Sequence, residues 1–92
     1  MRQLIFTSSF KRAFKRLVRR RPNIETRIEN RLRLLVDDPF TPTLQTHRLK
    51  GKLVGSWACS VEYDCRIVFS FVEDSETNDI LLIDIGSHDE VY

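Results

Sequence analysis

Two stretches in the N-terminal half repeat apolar residues at the spacing of an α-helix. The first carries Phe10, Phe14, Leu17 and Val18, and the second carries Ile24, Ile28, Leu32 and Leu35. Because an α-helix has 3.6 residues per turn, each set forms one apolar stripe along a helix. The pattern predicts two amphipathic helices, and the short link between them predicts a helical hairpin.

The expected helix ends follow from capping residues and prolines. A hydroxyl at Ser8 or Ser9 can accept a hydrogen bond from the exposed amides of a helix start, so we expect the first cap there. The first helix should end near the Arg-Arg-Pro at residues 20–22, because the residue before a proline disfavours the α region. The second helix is predicted over about 23–36 and ends at Asp-Asp-Pro, residues 37–39.

The rest of the chain has strand patterns. Residues 3–7 predict a short first strand, and residues 39–52 predict an irregular connection. Apolar and polar residues alternate from 56 to 63, and a second strand follows over 66–72 after a tight turn at Tyr63-Asp64. After an acidic turn at 73–79, the apolar run 80–85 predicts a central strand, and 86–92 is a short tail.

The predicted order is therefore β-α-α-β-β-β. Helices segregated from a run of strands indicate an α+β fold, with the helical hairpin packed on a mainly antiparallel sheet. The 92 residues fit a single domain spanning 1–92. No apolar run approaches the roughly 18 residues of a membrane span, and no signal peptide is evident. We therefore expect a cytoplasmic protein with no membrane partner.

The charges are strongly segregated along the chain. Residues 1–36 contain eleven Lys or Arg and two Glu, a net charge of +9, whereas residues 60–92 contain nine Asp or Glu and one Arg, a net charge of −8. A segregated basic region is typical of proteins that bind polyanions. Two basic, solvated helix faces would give the same pattern, so binding to nucleic acid remains a hypothesis at this point.

Composition excludes several classes of site. The two cysteines, Cys59 and Cys65, form no CxxC pair or four-ligand cluster, so we expect reduced packing residues, no metal and no cofactor. No Walker loop, GxSxG or HExxH motif is present. The remaining candidates are polar residues around the predicted sheet: His47, Arg48, Lys50, Lys52, Glu62, Asp64, Arg66, His88 and Tyr92.

These residue types suit the cleavage of RNA without a metal ion. When a ribose 2′-hydroxyl attacks the adjacent phosphorus, the reaction needs a base, an acid and fixed positive charge. If the last strands are antiparallel neighbours, Arg66 at the start of one lies beside the end of the other, near His88. Ordinary roles remain open: a salt bridge from Arg66 to Glu62 or Asp64, a tail position for His88 and a loop position for His47.

Three segments resemble the YafQ/RelE branch of the RelE/ParE toxins. They are the opening FTSSFKR at 6–12, the stretch HRLKGKLVGSWACSVEYDCRIVF at 47–69 and the ending IDIGSHDEVY at 83–92. The resemblance covers essentially the whole chain. It implies the toxin of a type II toxin–antitoxin pair, a ribosome-dependent endoribonuclease that cuts messenger RNA in the A site by the 2′-hydroxyl route without metal.

The resemblance also implies roles and partners. Arg66 would steady the phosphate, His88 would act as acid or base, and Tyr92 would stack on or orient a base. His47 and Asp64 fall where YafQ-like members carry functional residues. The implied partners are messenger RNA, the ribosome and a small acidic antitoxin, and Lys50 and Lys52 resemble the basic residues that RelE-like members hold near the scissile phosphate. From the charge of residues 1–36 we also expect the basic helical face to contact ribosomal RNA, and the candidate RNA contacts outside the resemblance are Lys15, Arg16, Arg19 and Arg48.

The sequence departs from the family pattern at three positions. Ser60 and Cys65 stand where YafQ-like members have a histidine and a tryptophan, and His88 lies in a region where RelE-like members use arginine. The general base therefore stays open among His47, Asp64 and Glu62. The alternative functions are a ParE-like toxin that binds DNA gyrase and a catalytically inactive RNA-binding relative.

Overall fold

The computed structural model describes residues 2–51, 55–72, 76–87 and 91. Two helices, α1 (Ser8–Arg20) and α2 (Ile24–Asp37), follow a short strand, β1 (Leu4–Phe6). A 3-10 helix (Pro42–Leu44) then leads to the remaining strands, β2 (His47–Arg48), β3 (Trp57–Glu62), β4 (Cys65–Phe71) and β5 (Ile80–Gly86). The predicted α+β fold and both helices are confirmed.

The five strands form one sheet in the order β1-β5-β4-β3-β2. The pair β1–β5 is parallel and the other three pairs are antiparallel, as expected for a mainly antiparallel sheet. Strand β5 therefore lies inside the sheet, as its apolar run predicted. The final strand also returns beside the first and runs parallel to it, so that Leu4 pairs with Ile80 and Phe6 with Leu82.

Residues 39–51, the described part of the predicted connection 39–52, are more ordered than the sequence predicted. They were expected to be irregular, but they contain the 3-10 helix and β2, whose residues His47 and Arg48 pair with Ala58 and Trp57. The backbone N–H of Leu49 also donates to the carbonyl of Ser56 at 3.0 Å. A strand of two residues is too short to show alternation, so pairing with β3, and not local pattern, defines it.

The cap of α1 lies one residue before the predicted position. Thr7, and neither Ser8 nor Ser9, is the capping residue, because its Oγ1 accepts from the Phe10 N–H at 3.1 Å. The same hydroxyl donates to the carbonyl of Leu82 in β5 at 2.7 Å. Thr7 follows directly after β1 with an extended backbone, so one side chain ends the strand, starts the helix and ties both to β5.

The ends of α2 are held by different means. Asn23 precedes the helix but makes no side-chain capping bond. At the other end, Arg2 donates from Nη1 to the carbonyl of Val36 at 2.6 Å and from Nε to the carbonyl of Asn78 at 3.2 Å. A cation at a helix C-terminus satisfies an exposed carbonyl and complements the helix dipole. Arg2 thereby links the end of α2 to the segment before β5.

The main core lies between the helices and one face of the sheet. Both predicted helical stripes contribute to it, with Phe10, Leu17, Ile24, Ile28 and Leu35 buried and the other stripe residues partly buried. The sheet contributes the buried residues Cys59, Val61, Cys65, Ile67, Phe69, Ile80, Leu82 and Ile85. Since the helices cover this face, the opposite face of the sheet is where polar side chains can be presented.

Candidate active site on the open face of the sheet

The sheet face opposite the helices, here called the open face, follows from the strand register. Paired residues on neighbouring strands project to the same face. One row across the open face consists of His47, Ala58, Val68 and Asp84, and the next consists of Ser60, Arg66 and Gly86. A second, smaller apolar cluster covers part of it: Leu49, Ala58, Val68 and Val91 are buried there, with Ile83 packed against them.

Arg66 is half-buried near the start of β4 and holds the β3–β4 turn. Its Nη1 donates to the carbonyl of Glu62 at 2.7 Å, and to those of Tyr63 and Cys65 at 3.1 Å each. The Oγ of Ser60 lies 3.4 Å away. The guanidinium is therefore fixed in place by the hairpin, so its position is set before any ligand arrives.

The predicted meeting of Arg66 with the end of the last strand is confirmed. In the β4–β5 register, Arg66 pairs with Gly86, the final residue of β5. His88 and Tyr92 themselves, and Lys52, lie outside the described residues. Val91 does lie on this face of the sheet: its N–H donates to the carbonyl of Ser87 at 3.1 Å, and its side chain is buried in the smaller cluster.

His47 lies on the same open face, at the edge strand β2. It is exposed, and its Nδ1 lies 3.0 Å from the carbonyl oxygen of Gln45. Only β3 separates β2 from β4, and His47 is one row away from Arg66. With strands about 4.8 Å apart, the two Cα atoms are roughly 12 Å from each other. Ala58, between them in the sheet, is fully buried in the smaller cluster, so His47 and Arg66 lie at the border of that cluster.

Asp64 lies in the tight turn between β3 and β4, as the sequence predicted, and it is exposed. It is two residues from Arg66, at the end of the hairpin whose carbonyls hold the guanidinium. Its neighbour Tyr63 is 98% exposed. Sequence reasoning assigned no role to Tyr63, although a fully exposed aromatic ring beside candidate RNA-binding residues is suited to stacking on a base.

A second residue that sequence reasoning missed is Asp84. It lies in an otherwise apolar strand, and an irregularity in the β4–β5 register between Val68 and Phe69 brings it opposite Val68 on the open face. The carboxylate is half-buried and its Oδ1 accepts from the Ile85 N–H at 2.8 Å. A lone carboxylate within an apolar run is the signal that was available in the sequence.

Glu62 is held away from the candidate site. Its carboxylate forms ion pairs with Arg21 and with Arg27, the latter at 3.3 Å, and its side chain is 19% exposed. These arginines flank the link between α1 and α2, where a cleft of about 430 Å³ also includes Pro22 and Asn23. Glu62 therefore pairs with these two arginines and not with Arg66, which was the alternative left open by the sequence. Two guanidinium partners also make Glu62 the weakest of the three general-base candidates.

The basic residues predicted to bind RNA fall on two sides of the sheet. Lys15, Arg16 and Arg19 are exposed on α1, which packs on the helix-covered face. Arg48 alternates with His47 and so points to that side too, with its Cζ 5.1 Å from the centroid of the Trp57 ring. Lys50 is exposed after β2. The structure thus separates a helical basic surface from the polar residues on the open face.

The cysteines belong to the core. Cys59 and Cys65 are buried thiols that are not joined in a disulfide, and burial raises the pKa of the Cys59 thiol to about 12, which keeps it neutral. Within the described residues, no group of three or more His, Cys, Asp or Glu is placed to hold a metal ion. In the same part of the chain, no helix is long and apolar enough to cross a membrane.

Comparison with known proteins now places the chain in a family. The family described as the bacterial toxin of a type II toxin–antitoxin system, YafQ, matches residues 2–92. The chain belongs to the YafQ toxin family. Among curated protein sequences no significant match is found. The expected YafQ-type toxin is confirmed, and the protein is a type II toxin of the YafQ family.

Solved structures of related toxins share the fold. A copper-bound mutant toxin from Helicobacter pylori is 27% identical, with a TM-score of 0.79 and 100% of each chain covered. YafQ in the DinJ–YafQ toxin–antitoxin complex of E. coli is 16% identical, with a TM-score of 0.78 and coverage of 99% of this chain and 97% of that one. A YoeB/ParE toxin from Agrobacterium tumefaciens is 20% identical, with a TM-score of 0.76 and coverage of 94% and 98%.

Proposed function

We propose that this YafQ-family toxin is a ribosome-dependent endoribonuclease that cleaves messenger RNA in the ribosomal A site and so inhibits translation. The observation that carries the proposal is the pairing of Arg66 with Gly86, which sets a fixed guanidinium beside the strand end that leads to His88. His47 on the same face and Asp64 in the adjoining turn add two groups that can accept a proton.

The proposed reaction breaks one bond and makes one bond at phosphorus. The 2′-oxygen of a ribose attacks the adjacent phosphorus as a base removes its proton, and the bond to the 5′-oxygen breaks as an acid protonates the leaving oxygen. The products are a 2′,3′-cyclic phosphate and a free 5′-hydroxyl. No oxidant, reductant or other co-reactant is needed, so side chains alone can supply the chemistry.

The side chains have distinct proposed roles. Arg66 pairs with the phosphate and stabilises the charge that develops on its oxygens, for which a planar fork is suited. His88 is the acid or base, and Tyr92 stacks on or orients a base. His47 or Asp64 is the general base, in preference to Glu62 with its two arginine partners. Lys50 and Lys52 contact the messenger, whereas Arg48, on the helix-covered side, contacts RNA away from the scissile phosphate.

We propose that the basic helical surface serves a different purpose, namely binding to ribosomal RNA in the cytoplasm. Lys15, Arg16 and Arg19 are exposed on α1, on the other side of the sheet from His47 and Arg66. Cationic side chains on a surface bind phosphates without sequence specificity. We also propose a cognate, small acidic antitoxin, because the E. coli relative is found in a toxin–antitoxin complex with DinJ.

The test is cleavage of a messenger in programmed ribosome complexes with purified protein. We expect cuts at A-site codons and fragments ending in cyclic phosphate. Arg66→Ala and His88→Ala should each lower the rate by roughly 10²-fold or more, as for the loss of a positioned charge or proton-transfer group. Thr43→Ala, at an exposed position in the 3-10 helix, is the matched control and should cleave normally.

Metal independence requires a separate test, because ribosomes themselves need magnesium. A messenger with sulfur in place of a non-bridging oxygen at the scissile phosphate can be assayed in magnesium with and without added cadmium or manganese. Rescue of cleavage by a thiophilic metal would overturn the metal-free mechanism. An intact messenger together with DNA strand breaks in cells would instead support the gyrase-binding alternative, and ribosome binding without cleavage would support an inactive relative.

A further inference from the structure

The pairing of β3 with β4 contains a β-bulge next to Arg66. Ser60 pairs with Arg66, but Glu62 pairs with Cys65. Within the described register of these two strands, Val61 is therefore an extra residue. A bulge bends its strand and re-aims a side chain, and bulges are over-represented next to active sites. The side chain that this bulge re-aims is that of Glu62.

The bulge turns Glu62 from the open face to the helix-covered face. In a regular strand side chains alternate, so Glu62 would follow Ser60 onto the open face. Instead it pairs with Cys65, which is buried in the main core beneath the helices. Its carboxylate forms ion pairs with Arg21, the residue that ends α1, and with Arg27 in α2. The end of β3 is thereby attached to both helices of the hairpin.

A second arginine of α2 holds the other residue of the bulge. Nε of Arg31 donates to the carbonyl of Val61 at 3.2 Å. The extra residue of a bulge leaves the ladder, and buried backbone groups are nearly always hydrogen-bonded, so this carbonyl needs a partner outside the sheet. Val61 is fully buried. Arginines beside the helices therefore fix two consecutive residues at the end of β3, one by its backbone and one by its side chain.

The backbone of Glu62 extends this attachment to the open face. Its carbonyl accepts from Nη1 of Arg66 at 2.7 Å, closer than the carbonyls of Tyr63 and Cys65 at 3.1 Å each. The same carbonyl accepts from the Oγ of Ser60 at 3.3 Å. Holding the carboxylate of a residue restricts its backbone as well. The ion pairs on one side of the sheet therefore limit the directions of the carbonyl that faces Arg66 on the other.

We infer that Glu62 is a positioning residue that sets the orientation of Arg66, and that Arg21 and Arg27 hold Glu62 in turn. The effect on cleavage rests on the proposed function, whereas the orientation of Arg66 does not. Glu62 itself contacts no RNA and transfers no proton. A displacement of about 1 Å in a group that must meet the reacting atoms can cost roughly 10²-fold in rate, so a small change at Glu62 is enough to be measured.

Glu62→Gln is the central variant, because it keeps the size of the side chain and removes its charge. The rate of messenger cleavage at saturating ribosome complexes should fall roughly 10- to 100-fold, with no change in the concentration for half-maximal cleavage. The pH dependence should keep its shape, because no proton-transfer group is lost. Glu62→Asp keeps a carboxylate and should recover part of the rate. Glu29→Gln, which removes an exposed carboxylate from α2, is the matched control and should cleave normally.

A double-mutant cycle shows whether Glu62 acts through Arg66. Added to Arg66→Ala, Glu62→Gln should have no further effect on the saturated rate, because residues in one network have non-additive effects. Arg21→Ala combined with Arg27→Ala should reproduce the effect of Glu62→Gln from the other side of the sheet. Arg33→Ala, an exposed arginine of α2, is the control for the loss of positive charge. Rates are compared at a temperature where every variant is folded.

NMR of the side chains tests the orientation without any messenger. A guanidinium whose rotation is restricted by hydrogen bonds gives separate signals for its two Nη groups. Those of Arg66, assigned by their loss in Arg66→Lys, should be separate in the wild type. They should shift or merge in Glu62→Gln and stay unchanged in Glu29→Gln.

Two results would show that Glu62 does not position Arg66: the same Arg66 signals in Glu62→Gln as in the wild type, or a further loss of rate when Glu62→Gln is added to Arg66→Ala. Loss of the acidic limb of the pH profile in Glu62→Gln would also overturn the inference, because Glu62 would then be the general base itself. A folded Glu62→Gln protein that cleaves at the wild-type rate refutes the positioning role alone. If the wild type leaves messenger intact while the Arg66 signals respond as expected, the ribonuclease proposal fails and the orientation of Arg66 by Glu62 stands.

Discussion

Replacing Arg66 with alanine should cost stability as well as activity. Nη1 contacts three carbonyls and one hydroxyl around the β3–β4 turn, but it carries two hydrogens, so at most two of these bonds are strong at once. Hydrogen bonds from charged groups contribute about 1.5–3 kcal/mol each when well formed, and Arg66 is only half-buried. We therefore expect Arg66→Ala to lower the free energy of unfolding by about 2–3 kcal/mol in total.

Domains of this size have total stabilities of roughly 5–15 kcal/mol, so the variant should remain folded at low temperature. A loss of 2–3 kcal/mol corresponds to a fall in Tm of roughly 10–20 °C. Urea unfolding can be followed by the fluorescence of Trp57, the single tryptophan of the chain. Cleavage should then be compared at a temperature where every variant is folded, and there Arg66→Ala should still be slower by roughly 10²–10³-fold.

Arg66→Lys separates the two roles of this side chain. An ammonium keeps the charge and can bond one or two turn carbonyls, so part of the stability should return, but it cannot grip two phosphate oxygens at once and activity should stay low. Arg33→Ala, an exposed arginine on α2, is the control and should change stability by less than about 0.5 kcal/mol. An Arg66→Ala protein with the urea midpoint of the wild type would show that the turn does not depend on the guanidinium.

The remaining predictions concern the helix cap, the basic surface and the buried thiol. Thr7→Val should lower the free energy of unfolding by about 1–3 kcal/mol, because it removes both the helix cap and the hydrogen bond to Leu82. Thr7→Ser should retain both interactions. If calorimetry showed Ser8→Ala or Ser9→Ala to be more destabilising than Thr7→Val, the assignment of the cap would be wrong. Combined alanine substitution of Lys15, Arg16 and Arg19 should weaken ribosome binding and flatten its dependence on salt, and an unchanged salt titration would reject the basic surface. Stability should also fall as pH rises from about 9 toward 12, because the unfolded Cys59 thiol ionises near its ordinary pKa of 9.0 while the folded thiol stays protonated to about 12. The difference between wild type and Cys59→Ala across that range isolates this contribution, and equal slopes would show that Cys59 does not cause it.

The local hydrophobic pattern predicted those elements of the fold that are long enough for the pattern to repeat within them. The stripes at Phe10–Val18 and Ile24–Leu35 each cover several turns, so both helices were found to within a residue or two. Strand β2 has two residues and exists only through its pairing with β3, which no local pattern contains. The cap at Thr7 was missed for a related reason, since its hydroxyl is positioned by β5, far away in the sequence.

The sequence could predict only those positions of the candidate site that depend on the pairing of two neighbouring strands. Placing Arg66 beside the end of β5 needed nothing more than antiparallel neighbours of similar length, and that prediction is confirmed. Asp84 reaches the open face through a register irregularity, and Glu62 is drawn to Arg21 and Arg27 by the way the helices pack. Both outcomes depend on tertiary contacts. The sequence showed a lone carboxylate at Asp84 but not its place opposite Val68, and it did not show the pairing of Glu62 with two arginines.

The sheet separates the two surfaces for which we propose functions. The exposed cations of α1 lie on one side, and His47, Arg66 and the end of β5 lie on the other. If the first surface binds ribosomal RNA and the second cleaves messenger, charge loss on α1 should raise the ribosome concentration needed for half-maximal cleavage without changing the rate at saturation. Loss of Arg66 should do the reverse, because interactions made only in the transition state affect the saturated rate. A single active surface would instead give both classes of variant the same mixture of effects, so saturation kinetics on ribosome complexes distinguish the two arrangements.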